Sequence, residues 1–273
     1  MDYACEAHGA SLRLACKAVG ISRSAYAYTP DPHRDDAVIV AIQTVVERYP
    51  AYGFGKIYKV LMRQGHPWNH KRVRRIYCLL GLNRKRRGKK RLPNRQPAPL
   101  AVPAMMNHCW SVDFMSDSLF CGRRYRTFNV VDDYNREVLA IEVDLNLPSQ
   151  RVVRVLERIV AWRGYPTKIR MDNGPEFISA NLAEWADDHG IALEFIQPGK
   201  PTQNSYIERF NRTYRTEVLD MFVFRTLTEV REITETWMRE YNEERPHDSL
   251  GDMTPCEYLM ANQPAGTSNL GWH

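Results

Sequence analysis

The stretch from Lys168 to Phe177 constrains the fold more than any other part of the sequence. It begins as a short, half-apolar run that predicts a β-strand, continues with Asp172, and is then stopped by Asn-Gly-Pro. The segment from Glu176 to His189 predicts a helix. Asp172 would therefore lie at the carboxyl end of a strand, where open α/β sheets bind ligands. Because Asp-Asn-Gly is also ordinary turn chemistry, this stretch alone does not separate a turn from a site.

The stretch belongs to a longer alternating pattern. Three β-forming segments precede it, a helix from Pro148 to Trp162 follows them, and a further strand comes after it; the segments lie at 110–116, 125–132, 137–144 and 191–196. Three consecutive strands followed by β-α-β alternation predict a mixed α/β sheet flanked by helices.

The first part of the chain predicts helices instead. Residues 10–26 suggest a short helix-turn-helix, and helices are predicted from Asp35 to Tyr49, Gly55 to Arg63 and His70 to Leu80. The last of these is apolar on one face and basic on the other, where it carries Lys71, Arg72, Arg74 and Arg75. It is interpreted as a DNA-facing helix, although a solvated basic face gives the same pattern.

Charge is divided unevenly along the chain. Residues 1–100 hold 20 Lys and Arg against 6 Asp and Glu, whereas residues 101–273 hold 18 against 26. Seven of these cations stand together without a balancing acid, at Arg84, Lys85, Arg86, Arg87, Lys89, Lys90 and Arg91. Such a run repels itself and cannot pack, which favours a flexible strap that binds a polyanion such as DNA.

Cysteine usage and hydropathy indicate the redox state and the cellular compartment to expect for the protein. The six cysteines form no C-x-x-C pair and no regular framework, and Cys5, His8 and Cys16 give only a weak indication of zinc. No signal peptide and no apolar run of membrane-spanning length is present. We therefore expect reduced thiols and a cytoplasmic protein, associated with the nucleoid if it is bacterial.

Three carboxylates need a common explanation. Asp113 is central in a largely apolar strand, Asp172 ends a strand, and Glu208 lies in the first turn of a helix, with 35 residues between it and Asp172. Converging carboxylates repel one another, and hard oxygen ligands without His or Cys favour Mg²⁺ or Mn²⁺, which can support phosphoryl transfer. For Glu208 there is a structural alternative, since Ser205-x-x-Glu208 is also a capping-box pattern.

These residues stand in motifs that resemble a known family. The motifs are Trp110-Ser-Val-Asp113, Met171-Asp-Asn-Gly-Pro-Glu-Phe177, Pro201-Thr-Gln-Asn-Ser-Tyr-Ile-Glu208 with a basic residue seven positions later, and Tyr241-Asn-x-x-Arg-Pro-His-x-Ser-Leu-Gly-x-x-Thr-Pro255. In order and spacing they resemble the DDE transposases of bacterial insertion sequences, the group similar to retroviral integrases. Residues 52–82 look like the helix-turn-helix region of the same family.

The resemblance implies a ribonuclease-H-like core in a mixed five-stranded sheet, preceded by a small all-α helix-turn-helix-like domain. It implies that Asp113, Asp172 and Glu208 are catalytic and bind two Mg²⁺, for which Mn²⁺ can substitute. By the same analogy Arg215 contacts the DNA end, and Asn173, Gln203 and Asn204 are active-site neighbours. The implied partners are double-stranded DNA at the element ends and the target, further copies of the chain on that DNA, and an upstream-frame product that acts beside it or fused to it.

We predict the following division of the chain: a helical segment at 1–30, a helix-turn-helix-like DNA-binding domain at 31–83, a basic linker at 84–105, an integrase catalytic core at 106–222, and a C-terminal helix and tail at 223–273. The predicted function is metal-dependent DNA cleavage and strand transfer at the ends of an insertion sequence. Two alternatives remain, a catalytically silent DNA-binding regulator or decayed copy, and a ribonuclease-H-like nuclease without joining activity. His247 and Asp248 are interpreted as loop packing.

Overall fold

The computed structural model of the chain describes residues 2–9, 11–29, 31–83, 102–197 and 204–262. Three short helices come first, α1 (Asp2–His8), α2 (Leu12–Val19) and α3 (Arg23–Tyr26). Gly20 ends α2 in the left-handed conformation with φ 73°, and the Ser22 side chain caps α3. The predicted helix-turn-helix-like pattern at 10–26 is therefore present locally.

Three longer helices then share one small core. They are α4 (Asp36–Arg48), α5 (Phe54–Arg63) and α6 (His70–Leu79). Apolar residues at helical spacing give each helix one buried side, and these sides meet around Ile42, Ile57 and Ile76. The Asn69 side chain accepts the backbone N–H of Lys71 and caps α6, as its position before the basic helix predicts.

The rest of the chain is organised around a five-stranded sheet with the order β3-β2-β1-β4-β5. Its strands are β1 (Cys109–Ser118), β2 (Arg124–Asp132), β3 (Val138–Asp144), β4 (Lys168–Met171) and β5 (Ala192–Phe195). β1, β2 and β3 form an antiparallel meander, whereas β4 pairs in parallel with β1 and β5 pairs in parallel with β4. The predicted mixed sheet is confirmed.

Helices cover both faces of this sheet. On one face, α7 (Ser149–Arg163) and α8 (Ala180–Asp188) pack over a core that includes Trp110, Phe128 and Ile169. On the other face lie α9 (Ser205–Tyr214), a π-helical turn (Arg215–Leu219) and α10 (Leu227–Glu243). Burial on two faces is the usual requirement for a sheet that contains parallel strands. The α9 face is the one that receives the acidic residues described below.

The start of α8 differs from the prediction. The helix begins at Ala180 with the Ser179 side chain as its cap, so the predicted start at Glu176 is wrong. Glu176 instead forms an ion pair with Arg126, and Phe177 is buried in the core. These two contacts fix residues 174–179 as a loop that packs along the end of β4.

The C-terminal residues connect the two halves of the molecule. After α10 come a 3-10 turn (Asp248–Leu250) and α11 (Pro255–Ala261). Basic side chains of α4 and α5 form ion pairs with acidic side chains of this region: Arg48 with Glu240 and Glu244, Lys59 with Asp248 and Asp252, and Arg63 with Glu257. The opposite charges of the two halves thus meet at one interface.

Within the described residues, no helix combines the length and the apolar character needed to cross a lipid bilayer.

Candidate active site

Strand alternation places two of the three predicted acids on the same face of the sheet. Trp110 and Val112 of β1 and Ile169 and Met171 of β4 belong to the core beneath α7 and α8. Because side chains alternate along a strand, Asp113 and Asp172 point to the opposite face, which α9 covers.

The strand register brings these two acids together. In the parallel pairing of β1 with β4, Ser111 lies opposite Arg170. The pairing ends at this point; β1 continues to Asp113 and beyond, whereas Met171 ends β4 and Asp172 follows it directly. The negative charge of Asp172 acts on the buried Asp113 and raises its pKa, so the two carboxylates lie near each other at the carboxyl end of β4.

α9 supplies the third acid. Glu208 lies in its first turn and is exposed, whereas Ile207 and Phe210 of the same helix are buried against the sheet. The pKa of Asp113 is raised from 3.8 to about 6, first by burial and then by the negative charges of Asp172 and Glu208. The three predicted catalytic residues therefore interact electrostatically in one place.

The capping-box alternative for Glu208 is wrong in this structure. The residue at the N-cap of α9 is Asn204, with Ser205 already helical, and the Asn204 side chain makes no capping hydrogen bond. Asn204 is buried, with 3% of its surface exposed, and its Oδ1 atom has no hydrogen-bond partner within the described ranges. Among the residues that the structure describes, the carboxylate of Glu208 therefore makes no capping hydrogen bond at the start of its own helix.

Asp113 is held by a chain of two asparagines that the sequence analysis did not identify. Asn211 Nδ2 donates to Asp113 Oδ2 at 2.7 Å, and Asn129 Nδ2 donates to Asn211 Oδ1, also at 2.7 Å. The backbone N–H of Phe114 donates to the other oxygen of Asp113 at 2.8 Å. Because both oxygens accept hydrogen bonds, the orientation of this carboxylate is fixed before any ligand binds.

In the loop after Asp172, the backbone comes close to the Asp172 carboxylate. Gly174 N–H donates to Asp172 Oδ1 at 2.9 Å, and a Cβ atom at Gly174 would lie 2.9 Å from the same oxygen. Asn173 Nδ2 donates to the carbonyl of Ile196 at 3.0 Å, which ties the loop to the end of β5. The Asn-Gly pair therefore positions Asp172, and Asn173 does so through the loop backbone.

The donor atoms suit a hard divalent cation, because they are all carboxylate oxygens and their mutual repulsion would be relieved by positive charge. Within the described residues, however, no group of three or more His, Cys, Asp or Glu side chains is arranged to hold a metal ion.

Comparisons with known proteins agree with this architecture. Models of the integrase core domain match residues 103–201 and 189–255, and a model of an HTH-like domain matches residues 33–90. An uncharacterized 31.7 kDa protein of insertion element IS407 from Burkholderia multivorans is 40% identical over 267 residues, which cover 95% of this chain and 96% of the relative. The chain belongs to the integrase-core transposases of insertion elements.

Two further proteins, one relative and one solved structure, are similar to this chain. An uncharacterized 39.2 kDa protein of insertion element IS476 from Xanthomonas euvesicatoria is 36% identical over 249 residues, covering 91% of this transposase and 72% of the relative. The HTLV-2 integrase catalytic core domain in complex with magnesium matches with 16% identity and a TM-score of 0.44, covering 57% of this chain and 98% of that domain.

The basic residues that were predicted to contact DNA stand in different surroundings. On α6 of the transposase, Arg72 and Arg75 both pair with Asp35, at 2.9 and 2.6 Å, whereas Lys71 and Arg74 are exposed. Arg74 lies over the ring of Phe54 at 5.4 Å. The freest cations of this helix are therefore Lys71 and Arg74.

Arg215 begins the π-helical turn after α9. Its guanidinium donates to Asp117 Oδ2 at 2.6 Å and to the carbonyl of Ser116 at 2.8 Å, at the far end of β1. A DNA contact by Arg215 would exchange or share these partners. The other predicted site residues, Gln203 and the run Arg84, Lys85, Arg86, Arg87, Lys89, Lys90 and Arg91, lie outside the described residues.

Asn211→Ala is expected to lower DNA cleavage by about 10- to 100-fold while the transposase stays folded, because Asp113 loses the donor that orients it. Cleavage rates measured at several Mg²⁺ concentrations test this, since a loosened carboxylate should be partly rescued by excess metal. Asn262→Ala is a matched control, because Asn262 is an exposed asparagine at the end of α11. Equal rates for parent and Asn211→Ala would show that this asparagine does not position Asp113.

Without divalent cations, Asp113 is expected to titrate at a pKa of about 6 in the folded protein, against 3.8 for an ordinary aspartate. The folded state therefore binds this proton more tightly than the unfolded state, so the contribution of Asp113 to stability is largest below pH 3.8 and declines as the pH rises through about 6. Carboxyl ¹³C NMR of Asp113 measures the value directly. A midpoint near 4 would contradict the buried acidic cluster.

Proposed function

We propose that this transposase is a DDE-type polynucleotidyl transferase, in which Asp113, Asp172 and Glu208 form the catalytic site for cleavage and joining of DNA at the ends of an insertion element. The observation that carries the proposal is the placement of Asp113, which Asn211 of α9 holds on the α9 face of the sheet, beside the charges of Asp172 and Glu208. A purely structural set of acids would instead be paired with cations, as Glu142 is with Arg151 and Arg158.

The chain's own residues would hold and shield the reacting phosphate. Asp113 is presented in one orientation by Asn211 and Phe114, and Asp172 by the backbone of Gly174. Two Mg²⁺ ions held by these acids and Glu208, with Mn²⁺ able to substitute, would neutralise charge and activate a water or 3′-hydroxyl for attack on a phosphodiester. Pre-oriented carboxylates lower the reorganisation that such a step needs.

DNA contacts would come from the helical domain and from the rim of the site. Lys71 and Arg74 are exposed on α6, the helix that the HTH-like match includes, and both are available for phosphates or base edges. Arg72 and Arg75 would contribute after release from Asp35. Arg215 lies two helical turns beyond Glu208, and we propose that it contacts the DNA end near the cleaved phosphate.

The proposal also includes an assembly of several copies of the chain on DNA. Joining both ends of an element to one target needs more than one active site, so we propose that copies of the chain act together on DNA. The upstream-frame product remains a predicted partner.

The test is a strand-transfer assay with the full chain, a duplex that carries the element's terminal sequence, a target plasmid and Mg²⁺. We expect nicking at the element end and covalent joining of its 3′-hydroxyl to the plasmid. A donor whose element end is already exposed and terminates in a dideoxynucleotide is the control, and it should bind without being joined because it has no 3′-hydroxyl to attack the target. Hydrolysis with no joined product would favour a plain nuclease, and DNA binding without nicking would favour a silent regulator.

A further inference from the structure

A cavity of about 240 Å³ lies between the helical domain, α9 and the C-terminal tail. Four of its lining side chains are cations, and they come from separate parts of the chain: Lys56 of α5, Arg136 of the turn between β2 and β3, Arg209 of α9, and Arg245 after α10. His247 also lines it. Such a concentration of cations around a concave space needs compensating negative charge.

The protein supplies only part of that charge. Glu217 forms a buried ion pair with Arg245 at 2.9 Å and lies 3.4 Å from Lys56. Burial and the nearby Arg245 charge lower the pKa of Lys56 to about 8, although Glu217 acts in the opposite direction. One carboxylate is therefore shared between two cations.

The other charged side chains around the cavity do not neutralise the positive charge that Glu217 leaves unbalanced. Asp248 also lines it, but this exposed carboxylate pairs with Lys59. Arg136 lies 3.4 Å from the ring centre of Tyr206, and within the described ranges neither Arg136 nor Arg209 forms an ion pair with a carboxylate. The cavity thus has an excess of positive charge.

His247 adds an unsatisfied polar atom. Only 8% of its surface is exposed, and no described residue bonds its buried Nε2 atom. Burial first, and then the charges of Arg245, Lys56 and Arg136, lower the pKa of His247 to about 3. An anion in the cavity would offset those cations, and a ring protonated at Nε2 would donate a hydrogen bond to it.

We propose that this cavity binds a phosphate group of the DNA backbone, held by Arg136, Arg209, Lys56 and His247. Guanidinium groups suit phosphate because they donate paired hydrogen bonds to its oxygens. The cavity is smaller than the usual pocket for a drug-sized ligand, so it suits a single phosphate group with part of its sugar rather than a whole bound nucleotide.

The position of the cavity relative to Glu208 favours a DNA source. Tyr206, Arg209 and Thr213 line the cavity from one side of α9, whereas Glu208 lies about a third of a turn around the same helix. A strand that crosses α9 could therefore place one phosphate at the catalytic acids and another in the cavity. The inference rests on the proposed function in this respect, because that function brings the strand to α9.

The test combines two variants with two probes. Arg136→Asn with Arg209→Gln removes the two cavity cations that have no carboxylate partner among the described residues; Arg136 donates instead to the carbonyl of Asp133. Asn is chosen because residue 136 has a φ of 62°, which Asn tolerates. Arg154→Gln is the matched control, an exposed helical arginine of α7 on the opposite face of the sheet. The probes are inorganic phosphate and a duplex oligonucleotide, and urea unfolding checks that each variant is folded.

Two readouts are expected to change together. DNA affinity of the double variant should have a salt slope smaller by about 1 than that of the parent, since one lost phosphate contact removes about 0.9, and Arg154→Gln should keep the parental slope. In ¹⁵N NMR, duplex DNA should shift the His247 imidazole signals and raise its pKa in the parent, but not in the double variant.

The outcomes separate the sources of phosphate. A His247 shift with DNA supports the proposal, whether or not inorganic phosphate alone produces it. A shift with inorganic phosphate that DNA neither causes nor displaces would overturn it in favour of a free-phosphate site. No shift with either probe and an unchanged salt slope would also overturn it. If either overturning result is found while the parent still joins DNA ends, only the cavity proposal is wrong and the proposed function stands. If DNA shifts the His247 signals but the parent cannot cut DNA, only the proposed function is wrong.

Discussion

Replacing Glu208 by Gln is expected to lower Mg²⁺-dependent strand cleavage by about 10³-fold, because the site loses one of three carboxylates and with it several kcal/mol of charge stabilisation in the transition state. The fold should be unaffected, since Glu208 is exposed and makes no capping hydrogen bond with the described residues of α9. The rate of nicking of an element-end duplex at saturating DNA measures the effect.

Glu157→Gln is the matched control for this prediction. Glu157 is an exposed glutamate in the middle of α7, on the opposite face of the sheet from α9, and its replacement should leave cleavage unchanged. If Glu208→Gln nicked DNA as fast as Glu157→Gln, Glu208 would not belong to the catalytic site. Retained DNA binding by both variants would show that the loss is in the chemical step.

Replacing Glu217 by Gln is expected to lower the free energy of unfolding by about 3–5 kcal/mol, the cost of breaking a buried ion pair. Glu217 accepts from Arg245 at 2.9 Å and from Trp237 Nε1 at 3.1 Å, and its side chain and that of Arg245 are only 10% and 9% exposed. A neutral amide would leave the Arg245 cation buried beside Lys56 without its counter-charge. Urea unfolding at neutral pH measures the difference.

Glu244→Gln provides the comparison on the surface. Glu244 pairs with Arg48 at 2.8 Å across the same interface, but their side chains are 46% and 53% exposed. Its replacement should cost less than about 1 kcal/mol. Similar losses for Glu217→Gln and Glu244→Gln would mean that the buried pair does not stabilise the junction between the helical domain and the catalytic half.

Much of the fold could be predicted because local pattern and tertiary structure agree. Apolar alternation locates the strands, and Asp172 follows β4 as expected from the Asn-Gly-Pro stop. The start of α8 was mispredicted because Glu176 has good helical propensity, but Glu176 is held elsewhere by Arg126 and Phe177 by the core. Tertiary contacts overrode local preference there.

The three acids of the candidate site could be predicted from the sequence, but the side chains that orient them could not. Asn211 falls in the buried stripe of α9, between Phe210 and Tyr214, and a lone polar residue in such a stripe is the signal that could have identified it. Its partner Asn129 lies 82 positions away in sequence, which no local pattern links to it. The ion pairs of Arg48, Lys59 and Arg63 join residues nearly two hundred positions apart and depend on the assembled fold alone.

A Mg²⁺ titration of the full chain, followed by carboxyl ¹³C NMR, tests the central claim most directly. We predict that the signals of Asp113, Asp172 and Glu208 shift together with one apparent affinity, and that Glu208→Gln weakens the response of both aspartates. Shifts confined to other carboxylates, or a response of Asp113 and Asp172 that is unchanged in Glu208→Gln, would contradict a shared metal site built from these three residues.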